Sequence, residues 1–147
     1  MSRRWMMIVV LGLLPALLAL RPVDEELLKA AEGGELKQVE ALVKKGADVS
    51  AVDNNGICPL FIATRHGQRE VVALLLKKGA AINQADTNGM TPLFMAALKG
   101  HQEIVALLLE KGAAVNQADY AGQTPLFIAA QEGRREVVAL LLEKGAN

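Results

Sequence analysis

The chain has 147 residues, enough for one ordinary domain, and 52% of them are hydrophobic although only 3% are aromatic. A core must therefore be built from Leu, Val, Ile and Ala, which favours packed helices. Sixteen basic residues balance sixteen acidic ones, so the charge implies no nucleic-acid or other polyanionic partner. One cysteine excludes an intramolecular disulfide, and with only two histidines besides we predict no metal site and no cofactor.

Residues 1–20 are the first predicted element, a targeting segment. Arg3 and Arg4 precede an uncharged apolar run over residues 5–20, which is typical of a signal peptide. The run is shorter than the roughly 20 residues of a membrane-spanning helix and contains Pro15, which favours a cleaved signal. The lack of a good cleavage site keeps a signal anchor open. A third reading is an apolar helix that caps the next repeat, although the polar positions of a surface helix are missing.

The charges on the two sides of this segment predict its orientation. Arginines lie before the apolar run, and the acidic residues Asp24, Glu25 and Glu26 follow it. Because basic residues stay on the cytoplasmic side, either a signal peptide or an anchor places the rest of the chain outside the cytoplasm. We therefore expect an extracytoplasmic location (periplasmic, secreted or lumenal), with membrane association through residues 1–20 left open.

The rest of the chain is repetitive with a period of 33 residues. Residues 53–85 match residues 86–118 at 21 of 33 positions, and residues 86–114 match residues 119–147 at 19 of 29. Such a period predicts a solenoid in which each unit is one supersecondary motif. Residues 24–52 keep the apolar and glycine positions of the later units without their turn, and we interpret them as an N-terminal capping repeat.

The unit of residues 86–118 predicts a turn followed by two helices. Asp-Thr-Asn-Gly at 86–89 favours a tight hairpin-type turn. Thr91 and Pro92 are suited to the N-cap and the first position of a helix, which we expect to run to Gly100.

A second helix is predicted near Gln102–Lys111. We expect Leu107, Leu108 and Leu109 to form its inner face, and Gly112 to end it in the left-handed conformation.

The segment TPLFMAALKGHQEIVALLLEKGA at 91–113 resembles the ankyrin repeat, whose pattern is TPLHxAAxxGHxxIVxLLLxxGA. The resemblance recurs in three units and implies an all-α ankyrin-repeat solenoid of stacked helix-turn-helix units with short β-hairpin-type loops. This domain would cover residues 21–147, divided into 24–52, 53–85, 86–118 and 119–147.

Two departures from the family pattern concern the start of the first helix. The histidine of the pattern is replaced by Phe61, Phe94 and Phe127, which we expect to fill the core. Cys58 stands where the other units have threonine, and a thiol is expected to be a poor helix cap.

The resemblance implies a protein-binding module, in which hairpin tips and the ends of first helices hold the partner. Positions that differ between units are therefore the candidate partner-binding residues. They are Asn54, Asn55, Ile57, Arg65, His66, Thr87, Asn88, Met90, Leu98, Lys99, Tyr120, Ala121, Gln123, Gln131 and Glu132. Ile57, Met90, Leu98 and Tyr120 are expected to form an exposed apolar patch, with Tyr120 as the main contact. His101, at an invariant place of the pattern, is expected to be structural.

An enzyme and a self-associating structural protein are the two alternatives to partner binding. An enzyme requires a nucleophile with a base, paired carboxylates, a phosphate loop or a metal set, and the sequence contains no candidate catalytic residue of these kinds. Self-association is the second alternative. Solenoids usually carry a polar terminal repeat, and residues 119–147 keep the apolar pattern of an internal one. Either the chain is a fragment of a longer array, or this outer face is expected to meet a partner or a second copy.

Overall fold

The computed structural model describes residues 20–147. The predicted targeting segment, residues 1–20, therefore lies outside the described part except for Leu20, which packs against the core. Eight helices follow one another in this part, with no strand between them, which confirms the predicted all-α architecture. The helices are α1 (Pro22–Gly33), α2 (Leu36–Lys44), α3 (Pro59–Arg65), α4 (Arg69–Lys77), α5 (Pro92–Lys99), α6 (Gln102–Glu110), α7 (Pro125–Gln131) and α8 (Arg135–Glu143).

The helices form four antiparallel pairs, one for each repeat. The first helices α1, α3, α5 and α7 pack side by side in one layer, and α2, α4, α6 and α8 form the layer beside it. Ala63, Ala96 and Ala129 are completely buried in the first layer. Side chains this small let neighbouring helices approach closely, so the repeats stack into one continuous core.

Three of the first helices begin in the same way. Thr91 Oγ1 accepts a hydrogen bond from the backbone N–H of Phe94 at 3.1 Å, and Thr124 Oγ1 accepts one from Phe127 at 3.1 Å. The thiol of Cys58 takes this role in α3, where Sγ accepts from the N–H of Phe61 at 3.4 Å. A proline follows each cap, as predicted, because the first helical position needs no N–H.

The second helix of the 86–118 unit differs from its prediction in one respect. Its buried residues are Ile104, Val105 and Leu108, whereas Leu107 and Leu109 are only half-buried. The expectation of three consecutive inner leucines was wrong because successive residues of a helix point about 100° apart. Only one of the three can face the centre of the core.

The phenylalanines divide into two groups. Phe61 and Phe94 are 1% and 2% exposed, so they fill the core as predicted. Phe127 is 52% exposed, and for this residue the prediction was wrong. The reason is position: the next repeat covers Phe61 and Phe94, whereas no described residue covers the outer side of α7.

A buried carboxylate ties the first repeat together. Asp24 is 4% exposed and accepts hydrogen bonds from Arg21 Nε at 2.8 Å and from the backbone N–H of Asp48 at 2.8 Å. The bond from Arg21 and the backbone bond lower the pKa of Asp24, although burial acts in the opposite direction. The start of α1 is thereby held to the loop that follows α2.

Candidate protein-binding surface

An aspartate shapes each hairpin-type loop. Asp86 Oδ1 accepts hydrogen bonds from the backbone N–H groups of Asn88 and Met90, both at 2.9 Å. Asp53 and Asp119 accept the corresponding pairs of bonds in their own loops. Because one carboxylate satisfies two N–H groups, each loop has a defined conformation before any partner arrives.

The tips of adjacent loops are joined by backbone hydrogen bonds. The N–H of Thr87 donates to the carbonyl oxygen of Asn55 at 3.0 Å, and the N–H of Tyr120 donates to that of Asn88 at 3.0 Å. The three tips therefore form one row, which we call the tip row. Its exposed residues are Asn54, Asn55, Thr87, Asn88, Tyr120, Ala121 and Gly122.

Tyr120 is the most exposed large hydrophobic residue of the described chain, at 81%. Its ring lies against the preceding tip, since a Cβ atom added to Gly89 would lie 2.7 Å from Tyr120 Cδ1. The ring thus spans two neighbouring tips while most of its surface faces solvent. An aromatic side chain held in this way offers a large contact area at a small cost in conformational entropy.

The candidate residues at the ends of the first helices are mostly accessible to solvent. His66, Lys99, Gln131 and Glu132 are exposed, and Arg65 is half-buried. The ring nitrogen Nε2 of His66 lies 3.4 Å from Glu32 Oε1 of the preceding repeat. These helix ends thus present mainly polar and charged groups to solvent.

The predicted apolar patch does not form as a unit. Ile57 is 8% exposed and belongs to the core, so the expectation that it faces solvent was wrong. Met90 and Leu98 are half-buried and pack against the core, and Gln123 is also half-buried. Loop residues next to a stacked repeat are covered by that repeat. The sequence of one repeat does not show this burial, because it depends on the neighbouring repeat. Tyr120 remains as the exposed apolar residue of the set.

His101 has the structural role predicted for it. Its Nε2 lies 3.2 Å from the carbonyl oxygen of Arg65, in the preceding repeat. Gln68 Nε2 donates to Glu32 O at 3.2 Å, and Arg134 Nε donates to Leu98 O at 3.2 Å. The sequence analysis did not assign Gln68 and Arg134 this bond to the preceding repeat. The signal was present, because Gln68, His101 and Arg134 occupy the same position of the repeat and each has a side-chain nitrogen that can donate.

Among the described residues, there is neither a metal-ligand cluster nor an activated cysteine. Residues 20–147 contain no group of three His, Cys, Asp or Glu side chains placed to hold a metal ion. Burial raises the pKa of the Cys58 thiol, which is also occupied as a helix cap. A thiol in this state is a poor nucleophile at neutral pH. Within the same residues, no helix is long and apolar enough to cross a membrane.

The family comparison agrees with this architecture. A family model described as ankyrin repeats (3 copies) matches residues 15–86 and 80–147. The chain belongs to the ankyrin-repeat family. Ankyrin repeats generally mediate protein–protein interaction, and proteins built from them are typically non-enzymatic. None of the curated proteins with which the sequence was compared matches it.

Proposed function

We propose that this chain is a non-enzymatic scaffold that binds a protein partner through the tip row and the exposed ends of the first helices. The observation that carries the proposal is Tyr120, which is 81% exposed although its backbone is fixed to the neighbouring tip. An exposed aromatic ring on an ordered backbone can bury a large area against a partner at a small cost in conformational entropy. Asparagine and threonine at the other tips supply hydrogen-bonding groups around it.

A photo-cross-linking residue at position 120 tests this surface. The matched control carries the same residue in place of Glu110, which is exposed at the end of α6 on the second helix layer. We expect one discrete adduct from position 120 and none from position 110. The chain with Tyr120→Ala should fail to retain the protein identified in that adduct. Equal cross-linking at both positions, or retention by the Tyr120→Ala variant, would remove the tip row as the binding surface.

We also propose that the array works outside the cytoplasm, exported or anchored by residues 1–20. Support comes from Arg3 and Arg4 followed by an uncharged run of apolar residues. Fractionation of expressing cells, with the intact mass of the product, tests this. A product shortened by about 20 residues in an extracytoplasmic fraction indicates a cleaved signal, and a full-length product in membranes indicates an anchor. A full-length product in the soluble cytoplasm would overturn the proposal.

A second candidate function is self-association through the outer side of the last repeat. It is favoured by the exposure of Phe127, at 52%, and of Leu142, at 54%. Exposed apolar patches are typical of interfaces. Light scattering over a wide concentration range tests it, and a constant monomer mass would exclude this candidate while leaving partner binding by the tip row unaffected.

A further inference from the structure

Two of the three tips carry an asparagine directly before a glycine. These are Asn55 with Gly56 and Asn88 with Gly89, whereas the third tip has Ala121 in the corresponding place. Both asparagines are exposed to solvent. The side-chain amide of an asparagine is prone to attack by the backbone nitrogen of the next residue, and glycine obstructs this attack least because it has no side chain. The tip row therefore contains two candidate sites of spontaneous chemical modification.

The reaction at such a site needs water and no other reagent. The nitrogen of the glycine attacks Cγ of the asparagine, a C–N bond forms, and the proton of that nitrogen leaves with the side-chain amide group as ammonia. The product is a cyclic succinimide. Water then opens the ring at either carbonyl carbon, which gives aspartate or isoaspartate without any oxidation or reduction. A carboxylate thereby replaces the side-chain amide.

The folded tips hold the attacking nitrogen in the same way at both sites. The N–H of Gly56 donates to the carbonyl oxygen of Asp53 at 3.0 Å, and the N–H of Gly89 donates to that of Asp86 at 3.0 Å. This bond must open before the nitrogen can turn towards the asparagine side chain. Modification of the folded protein therefore depends on local opening of the tip, which is easier where fewer groups cover it.

The two glycines differ in what covers them. Gly56 is half-buried, and the three atoms nearest to a Cβ added there are backbone atoms of the next tip, led by the nitrogen of Thr87 at 3.0 Å. Gly89 is buried, and the atom nearest to its added Cβ is Cδ1 of the Tyr120 ring, at 2.7 Å. An aromatic ring thus covers the second tip, whereas the smaller Thr87 is the equivalent residue over the first.

We propose that Asn55 is a site of spontaneous conversion to aspartate and isoaspartate, and that Tyr120 protects the equivalent residue Asn88. Opening of the second tip must move the Tyr120 ring and break the bond from the N–H of Tyr120 to the carbonyl oxygen of Asn88. Opening of the first tip breaks the corresponding bond from Thr87 to Asn55 but displaces no aromatic ring. The additional ring contact makes the second opening rarer. The modification does not depend on whether the tip row binds a partner.

The conversion of Asn55 changes the tip row in two ways. It adds a negative charge to a row whose exposed residues are uncharged. This charge lies close to Asp53, whose Oδ1 accepts from the N–H of Asn55 at 2.8 Å, so the two carboxylates repel each other. Isoaspartate also lengthens the main chain by one methylene group, which disturbs the turn closed by Gly56 and Asp53. A partner bound at the tips would therefore distinguish a new chain from an aged one.

Incubation of the folded chain in mildly alkaline buffer tests the proposal. Mass spectrometry of digests, taken before and after incubation, measures the acid form at each asparagine. We expect this form to accumulate several times faster at Asn55 than at Asn88. In a chain unfolded in urea the two rates should be similar, because a glycine follows each site. The proposal is overturned by equal rates in the folded chain, by a faster rate at Asn88, or by a folded Asn55 that stays unchanged while the unfolded chain is converted.

Asn55→Gln is the control for the site itself. Glutamine would have to close a larger ring, which forms much less readily, so the mass gain should disappear from this peptide and remain at Asn88. Hydroxylamine, which cleaves a chain at a succinimide, should cut the parent after Asn55 and should not cut the variant there. A mass gain that persists in the Asn55→Gln peptide would assign the reaction to Asn54 and overturn the proposed site.

Tyr120→Ala tests the protecting role, and Tyr120→Phe is the matched control that keeps an aromatic ring. The readout is the rate at Asn88 divided by the rate at Asn55 in the same chain, because general loosening of the fold raises both rates together. We expect this ratio to rise several-fold in Tyr120→Ala and to keep the parent value in Tyr120→Phe. An unchanged ratio in Tyr120→Ala, or an equal rise in both variants, would overturn the role of the ring.

Discussion

The ring of His101 is hydrogen-bonded across a repeat boundary to the carbonyl oxygen of Arg65, the last residue of α3, with Nε2 3.2 Å from that oxygen. This carbonyl belongs to the C-terminal turn of a helix, where no further turn supplies a backbone donor. A side chain from the next repeat thus satisfies the end of the preceding helix. The bond couples the two repeats, so its loss should be felt by the whole array.

We expect His101→Ala to lower the free energy of unfolding by about 1 kcal/mol, the usual net value of one hydrogen bond. His101→Gln should lose less than half of that, because Gln68 makes the corresponding bond in its own repeat at 3.2 Å. Urea denaturation followed by circular dichroism measures both. An equal loss in the two variants would mean that the imidazole ring, and not its hydrogen bond, is what matters at this position.

Thr64 has a buried hydroxyl without a partner. The residue is 0% exposed, and its Oγ1 makes no hydrogen bond. We expect Thr64→Val, which keeps the shape and removes the hydroxyl, to raise the free energy of unfolding by about 1 kcal/mol. Thr91→Val is the matched control, because the Oγ1 of Thr91 accepts from the N–H of Phe94.

Thr91→Val should have the opposite effect. It should lower the free energy of unfolding by about 1 kcal/mol, because α5 loses its N-cap. Thermal melting of the two variants beside the parent chain gives the comparison. If Thr64→Val also lowers the melting temperature, the hydroxyl is bonded in solution, and our description of this site is wrong.

Gly89 is needed both for its backbone conformation and for the contact with Tyr120. Its φ is +79°, and an added Cβ would lie 2.9 Å from the backbone nitrogen of Tyr120. Gly122 has a φ of +80° with nothing within 4 Å of the corresponding Cβ. Gly122→Ala should therefore lower the free energy of unfolding by about 1 kcal/mol, which is the strain of an alanine in the left-handed conformation.

We expect Gly89→Ala to lower the free energy of unfolding by at least about 1 kcal/mol more than Gly122→Ala, because the Tyr120 backbone must also move. Chemical denaturation measures the difference between the two variants. Because the same change displaces residue 120 from the neighbouring tip, Gly89→Ala should also weaken the cross-linking at position 120. Equal costs at the two glycines would show that the tips are not held against each other in solution.

The pKa of Asp24 makes the first repeat sensitive to acid. Hydrogen bonds from Arg21 and from the backbone of Asp48 lower this pKa below the ordinary value of 3.8. A carboxyl with a lowered folded pKa stabilises the fold above its unfolded pKa, and that contribution is lost as the pH falls through the folded value. Stability should therefore decline below about pH 4.

Asp24→Asn should be less stable than the parent at pH 7 and should show a flatter decline in acid. Glu25→Gln, which changes an exposed carboxylate one residue away, is the control and should keep the parent's profile. Melting temperatures measured from pH 7 to pH 2 provide the test. Parallel profiles for the parent and Asp24→Asn would assign the acid sensitivity to other carboxylates.

Much of the fold could be predicted from the sequence, because the residues that begin and end each helix lie within the repeat itself. Thr91 and Pro92 determine where α5 begins, and Gly100 and Gly112 determine where α5 ends and where α6 is terminated. These are short-range effects, so a 33-residue unit contains everything they need. The repetition then made the all-α solenoid predictable without any knowledge of contacts between units.

The candidate binding surface could be predicted from the sequence only in part. The turn residues predicted where the tips lie, yet Ile57 is buried and the predicted apolar patch is reduced to Tyr120. Exposure at a loop depends on what the neighbouring repeat covers, and this is a long-range property. Partner contact at the remaining positions stays a prediction.

The sequence by itself determined the helices, the turns and the stacking period, since caps, glycines and apolar spacing act within a few residues of one another. Only the tertiary structure decided which copy of a repeated residue is covered. Phe94 and Phe127 occupy the same place in nearly the same motif, and one is 2% exposed while the other is 52% exposed. The difference arises because burial in a solenoid is created by the adjacent repeat, which lies about 33 residues away in the chain.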